Sequence, residues 1–185
     1  VVDYYVIASP AGSYFPHGLE PVSIWVTTEY HRAGRGGTGA AKTGGNYASS
    51  LLPQQEAYAQ GCDQVCFLDD VSQKNIEELG GMNLMVVDAD GTVRTPRLTG
   101  TILEGCTRSA IIRLLRDSGR NVVEETISLQ GLLADIESGR VSEGFDARIE
   151  GSEVTRQIHD RLTAIQTGRA EDPYGWMYQL VPPRS

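Results

Sequence analysis

Asn83-Leu84-Met85-Val86-Val87-Asp88-Ala89-Asp90-Gly91-Thr92-Val93-Arg94-Thr95 reads as two strands, 83–87 and 92–95, joined by a tight turn at Asp88-Ala89-Asp90-Gly91. Asp and Gly tolerate the backbone of such a turn, and the flanking Val and Thr favour a pleated surface. Downstream, residues 107–117 place Ile111, Ile112 and Leu115 at helical core spacing, with Gly119 just past the end. Residues 122–127 read as a strand, and Ser128 can cap a helix running to Ser138 and stopped by Gly139. Ser152 can cap a last helix whose Val154, Ile158, Leu162 and Ile165 form a core-facing stripe ended by Gly168. Upstream, residues 3–8, 22–28 and 64–68 read as strands. Residues 48–60 read as a helix that Pro53 forces to start late or kink. Strands and helices mix without strict alternation, so the fold class is α+β, mixed α/β.

The 185 residues leave room for one domain. With 16 Lys and Arg against 24 Asp and Glu the formal charge is −8, which argues against a nucleic-acid partner that needs a basic face. No apolar run approaches the ~20 residues that span a bilayer, so no membrane partner is expected. Three cysteines, Cys62, Cys66 and Cys106, are too few and odd in number for a secreted disulfide framework. A cytoplasmic setting is the expectation, mitochondrial if the source is eukaryotic. The chain begins Val1-Val2-Asp3 without an initiator Met and reads as part of something longer.

Six glycines, Gly34, Gly36, Gly37, Gly39, Gly44 and Gly45, crowd twelve residues around Lys42. Gly36 to Thr43 nearly matches the phosphate-cradling loop G-x-x-x-x-G-K-[ST], but Ala41 stands where the second Gly must be. A lysine among so many small residues can approach a ligand closely, and its amine can condense with a carbonyl if its surroundings lower its pKa. The alternative is a solvated lysine on a loop. Cys62 and Cys66 lack the second Cys or His pair that a tetrahedral metal site needs, so no metal is expected. At strand periodicity both point to one face and pack. His17, His31 and His159 are scattered and complete no catalytic constellation. Glu77-Glu78 ahead of Gly80-Gly81 reads as a solvated strand end, or as a pair with one carboxylate turned towards a ligand.

Several ordered motifs resemble the branched-chain amino acid aminotransferases, which are fold-type IV pyridoxal-phosphate enzymes. They are Lys42-Thr43-Gly44-Gly45-Asn46-Tyr47, Gly61-Cys62-Asp63-Gln64-Val65, Glu77-Glu78-Leu79-Gly80-Gly81-Met82-Asn83, Leu103-Glu104-Gly105-Cys106-Thr107-Arg108 and Ile165-Gln166-Thr167-Gly168, with Gly175-Trp176-Met177 at the end. Ala8-Ser9-Pro10-Ala11-Gly12-Ser13-Tyr14-Phe15 is similar to the family's interdomain loop. The resemblance implies a cofactor-binding large domain over residues 17–185, with a barrel-like sheet core and surrounding helices, preceded by an interdomain strand and loop over residues 1–16.

It also implies pyridoxal 5′-phosphate as cofactor and a role for each matching residue. Lys42 is then the Schiff-base lysine and proton shuttle, Tyr47 the partner of the ring oxygen, and Glu78 the carboxylate facing the pyridine nitrogen. Gly105, Cys106 and Thr107 form the phosphate turn, in keeping with the unpaired donors of a helix starting at Thr107. Leu103 packs on the ring, Arg32 lies near the phosphate, and Tyr14 and Gly81 border the substrate pocket. Gly81-Met82-Asn83 favours the branched-chain group over its amine and D-amino acid relatives. The implied reaction transfers the amino group of Leu, Ile or Val to 2-oxoglutarate, in a homodimer. The alternatives are another fold-type IV transaminase, serving a secondary pathway, and a non-catalytic remnant. The remnant is motivated by two departures. The family's Gly-Thr-Ala-Ala turn and following hairpin are missing between Phe145 and Ser152, and the N-terminal small domain is absent.

Overall fold

Four consecutive residues of one strand, Val65, Cys66, Phe67 and Leu68, are buried on both faces of the sheet they belong to. The computed structural model describes residues 2–10 and 21–141. The elements are β1 (Ile24–Val26), α1 (Gly44–Ala48), α2 (Leu51–Ala59), β2 (Gln64–Leu68), β3 (Ile76–Leu79), β4 (Val86–Val87), β5 (Val93–Pro96), α3 (Cys106–Asp117), β6 (Val122–Glu125) and α4 (Leu129–Glu137). β2 pairs parallel with β1 and antiparallel with β3. On one face of β2, Val65 and Phe67 pack with Ala57 of α2. On the other, Cys66 and Leu68 join Ile76, Leu79, Val86 and Ile127.

The second sheet has the order β4-β5-β6. Its hairpin is the one read from residues 83–95. Gly91 takes φ +86° in the turn, and its N–H donates to the Asp88 carbonyl at 2.9 Å. β5 pairs parallel with β6 across α3, whose Ile112 and Leu115 pack on Val93 and Val122. The two sheets are tied by the Ile76 N–H to the Ile127 carbonyl and the Leu129 N–H to the Lys74 carbonyl, both 2.8 Å. The barrel-like expectation is corrected here: the described strands form two three-stranded sheets and no closed barrel. Beside β3 runs the 127–129 turn, which meets it by an isolated bridge at Asn75 and Ser128 rather than by a full strand.

Other expectations change in detail. Residues 2–10 carry no strand, and Tyr4, Tyr5, Val6 and Ile7 are largely exposed. β-Propensity without a paired neighbour among the described residues does not make a strand. The helix read over 48–60 starts late, as Pro53 requires: α2 begins at Leu51 with Pro53 third in it, where the N–H it lacks has no partner inside the helix, and Ala48 closes the separate α1. Ser128 caps α4 by accepting the Gly131 N–H, as expected. Cys62 packs beside Val65 and Phe67, whereas Cys66 lies in the core between the sheets, so the two do not share a face. Glu77 and Glu78 are no solvated end. They lie in β3 and are 4% and 3% exposed. Tyr14, His17, His159, the 152–168 helix and the motifs from Glu143 onward lie outside the described residues, as does the boundary at residue 16.

Candidate active site

β3 presents two carboxylates, and three loops close on them. The first is the glycine-rich loop. Gly39 is buried, and a Cβ on it would sit 2.5 Å from the Thr101 Cα and carbonyl oxygen, so only glycine lets the two backbones touch. The loop is also pinned by Asn46 of α1, 5% exposed, whose amide donates to the carbonyls of Thr38 (2.8 Å) and Ala41 (3.0 Å). Lys42 lies between these pins with an exposed side chain, and its Nζ stands 4.7 Å from the centre of the Tyr47 ring. A cation over an aromatic face is an attractive contact, so the pair holds the amine beside its own loop.

The second loop is residues 99–105. The Leu103 N–H donates to Glu78 Oε1 at 2.9 Å, and the Leu103 carbonyl accepts the Asn83 amide at 2.8 Å. Arg32, buried, brings one terminal nitrogen to Glu78 Oε1 (2.5 Å), to the Thr101 carbonyl (2.6 Å) and to the Gly39 carbonyl (2.8 Å). Burial pushes the Glu78 carboxyl up, while the Leu103 N–H, Arg32 and Lys42 pull it back towards the charged form. Glu77 is pushed up as well, chiefly by burial and further by Asp70 and Asp69.

The third is the turn after β3, where the Leu79 N–H donates to the Met82 carbonyl at 2.9 Å and Gly81 is exposed. That reversal sets Asn83 opposite Glu78. Asn83 in turn dictates the start of α3. Gly105 has φ +67°, and a Cβ there would lie 2.3 Å from Asn83 Oδ1. Gly105 is the N-cap of α3, with no side-chain cap and no acidic residue in the first turn, and Cys106 and Thr107 are exposed. The first backbone N–H groups of the helix therefore lack intrahelical partners and face solvent at its positive end.

The structure thus gathers Lys42, Tyr47, Glu78, Leu103 and Arg32, and ties Gly105 to them through Asn83. Arg32 stands at Glu78. Sequence reasoning assigned no role to Asn46, Asn83 or Thr101. Asn46 and Asn83 act through side-chain amide bonds and Thr101 through its carbonyl and hydroxyl; the only signal for the two asparagines was their place inside the quoted motifs, and Thr101 had none. Among the described residues no cluster of His, Cys, Asp or Glu suits a metal ion.

The amino-transferase class IV family model matches residues 4–138, which include every one of these residues. A probable branched-chain-amino-acid aminotransferase of Streptomyces coelicolor is 46% identical over 96% of this chain and 55% of its own length. The branched-chain-amino-acid aminotransferase of Mycobacterium tuberculosis is 44% identical over the same shares. The solved branched-chain amino acid aminotransferase of Escherichia coli superposes with a TM-score of 0.69 at 30% identity, covering 91% of this chain and 59% of that one. The fold is that of a class IV aminotransferase, and the site lies within the matched segment. The chain belongs to the class IV amino-transferase family. It spans about half the length of the curated relatives it matches.

Proposed function

We propose that this chain carries the lysine-bearing part of a pyridoxal 5′-phosphate enzyme that moves the amino group of branched-chain L-amino acids to 2-oxoglutarate, giving branched-chain 2-oxo acids and glutamate. The observation that carries the reading is the joint placement of an exposed amine, Lys42, and a buried carboxylate, Glu78, held by loops that leave the start of α3 open. These residues fit the cofactor. The uncapped α3 start, kept clear by a glycine whose Cβ would collide with Asn83, offers N–H donors to a phosphate, and no carboxylate in the first turn competes for them. When bound, pyridoxal 5′-phosphate supplies an aldehyde that accepts the amino group and a ring that withdraws electrons from the substrate Cα.

The protein's part is positioning and proton handling. Lys42 Nζ takes the proton from the substrate Cα and returns one, because it is the accessible amine of this site. Glu78 sits in a dry setting that pushes its carboxyl up, and Arg32 beside it pulls it back towards the charged form. When the cofactor is bound, Tyr47 and Leu103 would lie at its ring, the backbone of Cys106 and Thr107 would hold its phosphate, and Gly81 would border the substrate. The branched-chain preference is supported by the names of the relatives. A cytoplasmic homodimer fits bacterial relatives, the absence of any membrane-length apolar helix among the described residues, and the exposed Leu51, Leu52 and Tyr58.

The test is borohydride reduction of the full-length protein after incubation with the cofactor, followed by peptide mapping and an amino-donor panel. An adduct on Lys42, turnover of Leu, Ile and Val, and loss of at least ~10³-fold in kcat for Lys42→Ala are expected. Wild-type turnover in Lys42→Ala would sink the reading, and so would an adduct on another lysine.

A further inference from the structure

Glu77 takes no part in the chemistry described above, yet it is as deeply buried as its neighbour Glu78. Its Oε1 accepts a short hydrogen bond from the Thr101 hydroxyl and a longer one, 3.5 Å, from the Thr99 hydroxyl, while its Oε2 is buried with no partner. The two threonine hydroxyls stand 2.7 Å apart, so one carboxylate oxygen gathers both. Burying a carboxyl with one oxygen unmatched is costly, and an apolar residue in the middle of β3 would avoid that cost.

The far side of Thr101 suggests what that cost secures. Its carbonyl receives Arg32, the residue that bridges to Glu78, and its backbone is the surface that Gly39 of the lysine loop touches. Two residues later Leu103 gives its N–H to Glu78. One threonine therefore links three parts of the site, and Glu77 holds its side chain from behind.

We propose that Glu77 is a positioning residue: through Thr101 it clamps residues 99–103 against Arg32, Gly39 and Glu78, and so sets the lysine loop and the buried carboxylate in register. It touches neither substrate nor cofactor. The proposal rests on the transaminase reading only in giving that register a catalytic purpose.

The experiment compares Glu77→Leu, Glu77→Gln and Thr101→Val in the full-length protein. Glutamine keeps an oxygen for the Thr101 hydroxyl, and valine keeps the threonine shape without it. Hydrogen exchange without cofactor should be ~10-fold faster at amides of residues 38–42 and 99–105 in Glu77→Leu and Thr101→Val, unchanged in α3 and β6, and near wild type in Glu77→Gln. With cofactor, kcat should fall ~10-fold in the first two with KM within about twofold, and Glu77→Gln should restore it.

Wild-type exchange at residues 99–105 in Thr101→Val overturns the proposal. So does acceleration spread evenly over both sheets, which would mean a structural role alone, and so does a kcat that stays at wild type. Because exchange is read without cofactor, a failure of the transaminase reading shows in the borohydride experiment and a failure of this one in the exchange pattern. Should Glu77→Leu not fold, the near-isosteric Thr101→Val carries the test.

Discussion

Arg32 and Glu78 face each other 2.5 Å apart with side chains 2% and 4% exposed, so neither charge has water to fall back on. Removing one partner of such a pair leaves the other stranded. Arg32→Met should therefore cost about 3–5 kcal/mol in urea unfolding, and adding Glu78→Gln should recover much of it. The pH dependence has a definite sign. Burial already raises the folded Glu78 carboxyl, and losing Arg32 raises it further. The variant should then be most stable in acid, below the unfolded carboxyl pKa of about 4.3, and lose stability as pH rises through the folded value. A variant whose stability does not depend on pH would show that Arg32 does not hold the charge. At this scale the sequence is readable where chemistry needs a rare residue type: a lysine among glycines, or a glutamate ahead of two glycines. It is silent on Arg32 as the partner of Glu78. The two stand 46 positions apart, and nothing local says which arginine will be buried.

Between β2 and β3 the chain turns at Asp69, and the turn is built on one carboxylate. Asp69 accepts the N–H groups of Ser72 (2.8 Å), Lys74 (3.1 Å) and Asn75 (2.8 Å) and the Ser72 hydroxyl (2.8 Å), with Gln73 in the left-handed region at φ 53°. Partial burial pushes the carboxyl up, but these donors outweigh it and bring it to about 2. The full shift from 3.8 corresponds to about 2.4 kcal/mol at ~1.36 kcal/mol per pH unit, and solvent screening at this partly exposed site leaves roughly 1 kcal/mol. Its folded pKa is lowered, so this stability is present above pH ~4 and disappears as pH falls through about 2. Asp69→Ala should lower Tm at pH 7 and match the wild type near pH 2, as calorimetry can show.

Elements with a plain pattern were legible: β2, the β4–β5 hairpin, α3 and the Ser128 cap of α4. β3 was not, because Ile76-Glu77-Glu78-Leu79 has no alternation, and its burial depends on hydroxyls and an arginine supplied by distant loops. The reading of residues 3–8 as a strand failed for the opposite reason, since local propensity was strong and a pairing strand was lacking among the described residues.

Over the whole molecule the apolar surface is unevenly distributed. Tyr4, Tyr5, Val6 and Ile7 are 79–90% exposed, and Leu51, Leu52, Tyr58 and Trp25 also face outward. Exposed apolar side chains, where they gather into a patch, call for a partner to cover them. The 185-residue polypeptide on its own should associate at micromolar concentration and bind a hydrophobic dye, by light scattering and fluorescence, despite its charge of −8. A monodisperse monomer with no dye response would show the surface to be self-sufficient. The mixed α+β class was readable from composition and pattern, whereas the split into two sheets was not, because it depends on the 127–129 turn reaching Lys74 and Ile76.

The open start of α3 has a consequence for the life of the protein in a cell. A helix that starts on a glycine cap, with no side-chain cap bond and no acidic residue in its first turn, forgoes a few tenths to ~1 kcal/mol, so the folded state is weaker until an anion arrives. Any anion that binds only the folded form adds RT ln(1 + [L]/Kd), about 2.7 kcal/mol at a hundredfold excess over Kd. Where such an anion binds, its supply would govern how much of the protein survives proteolysis, and scarcity would thin the folded population.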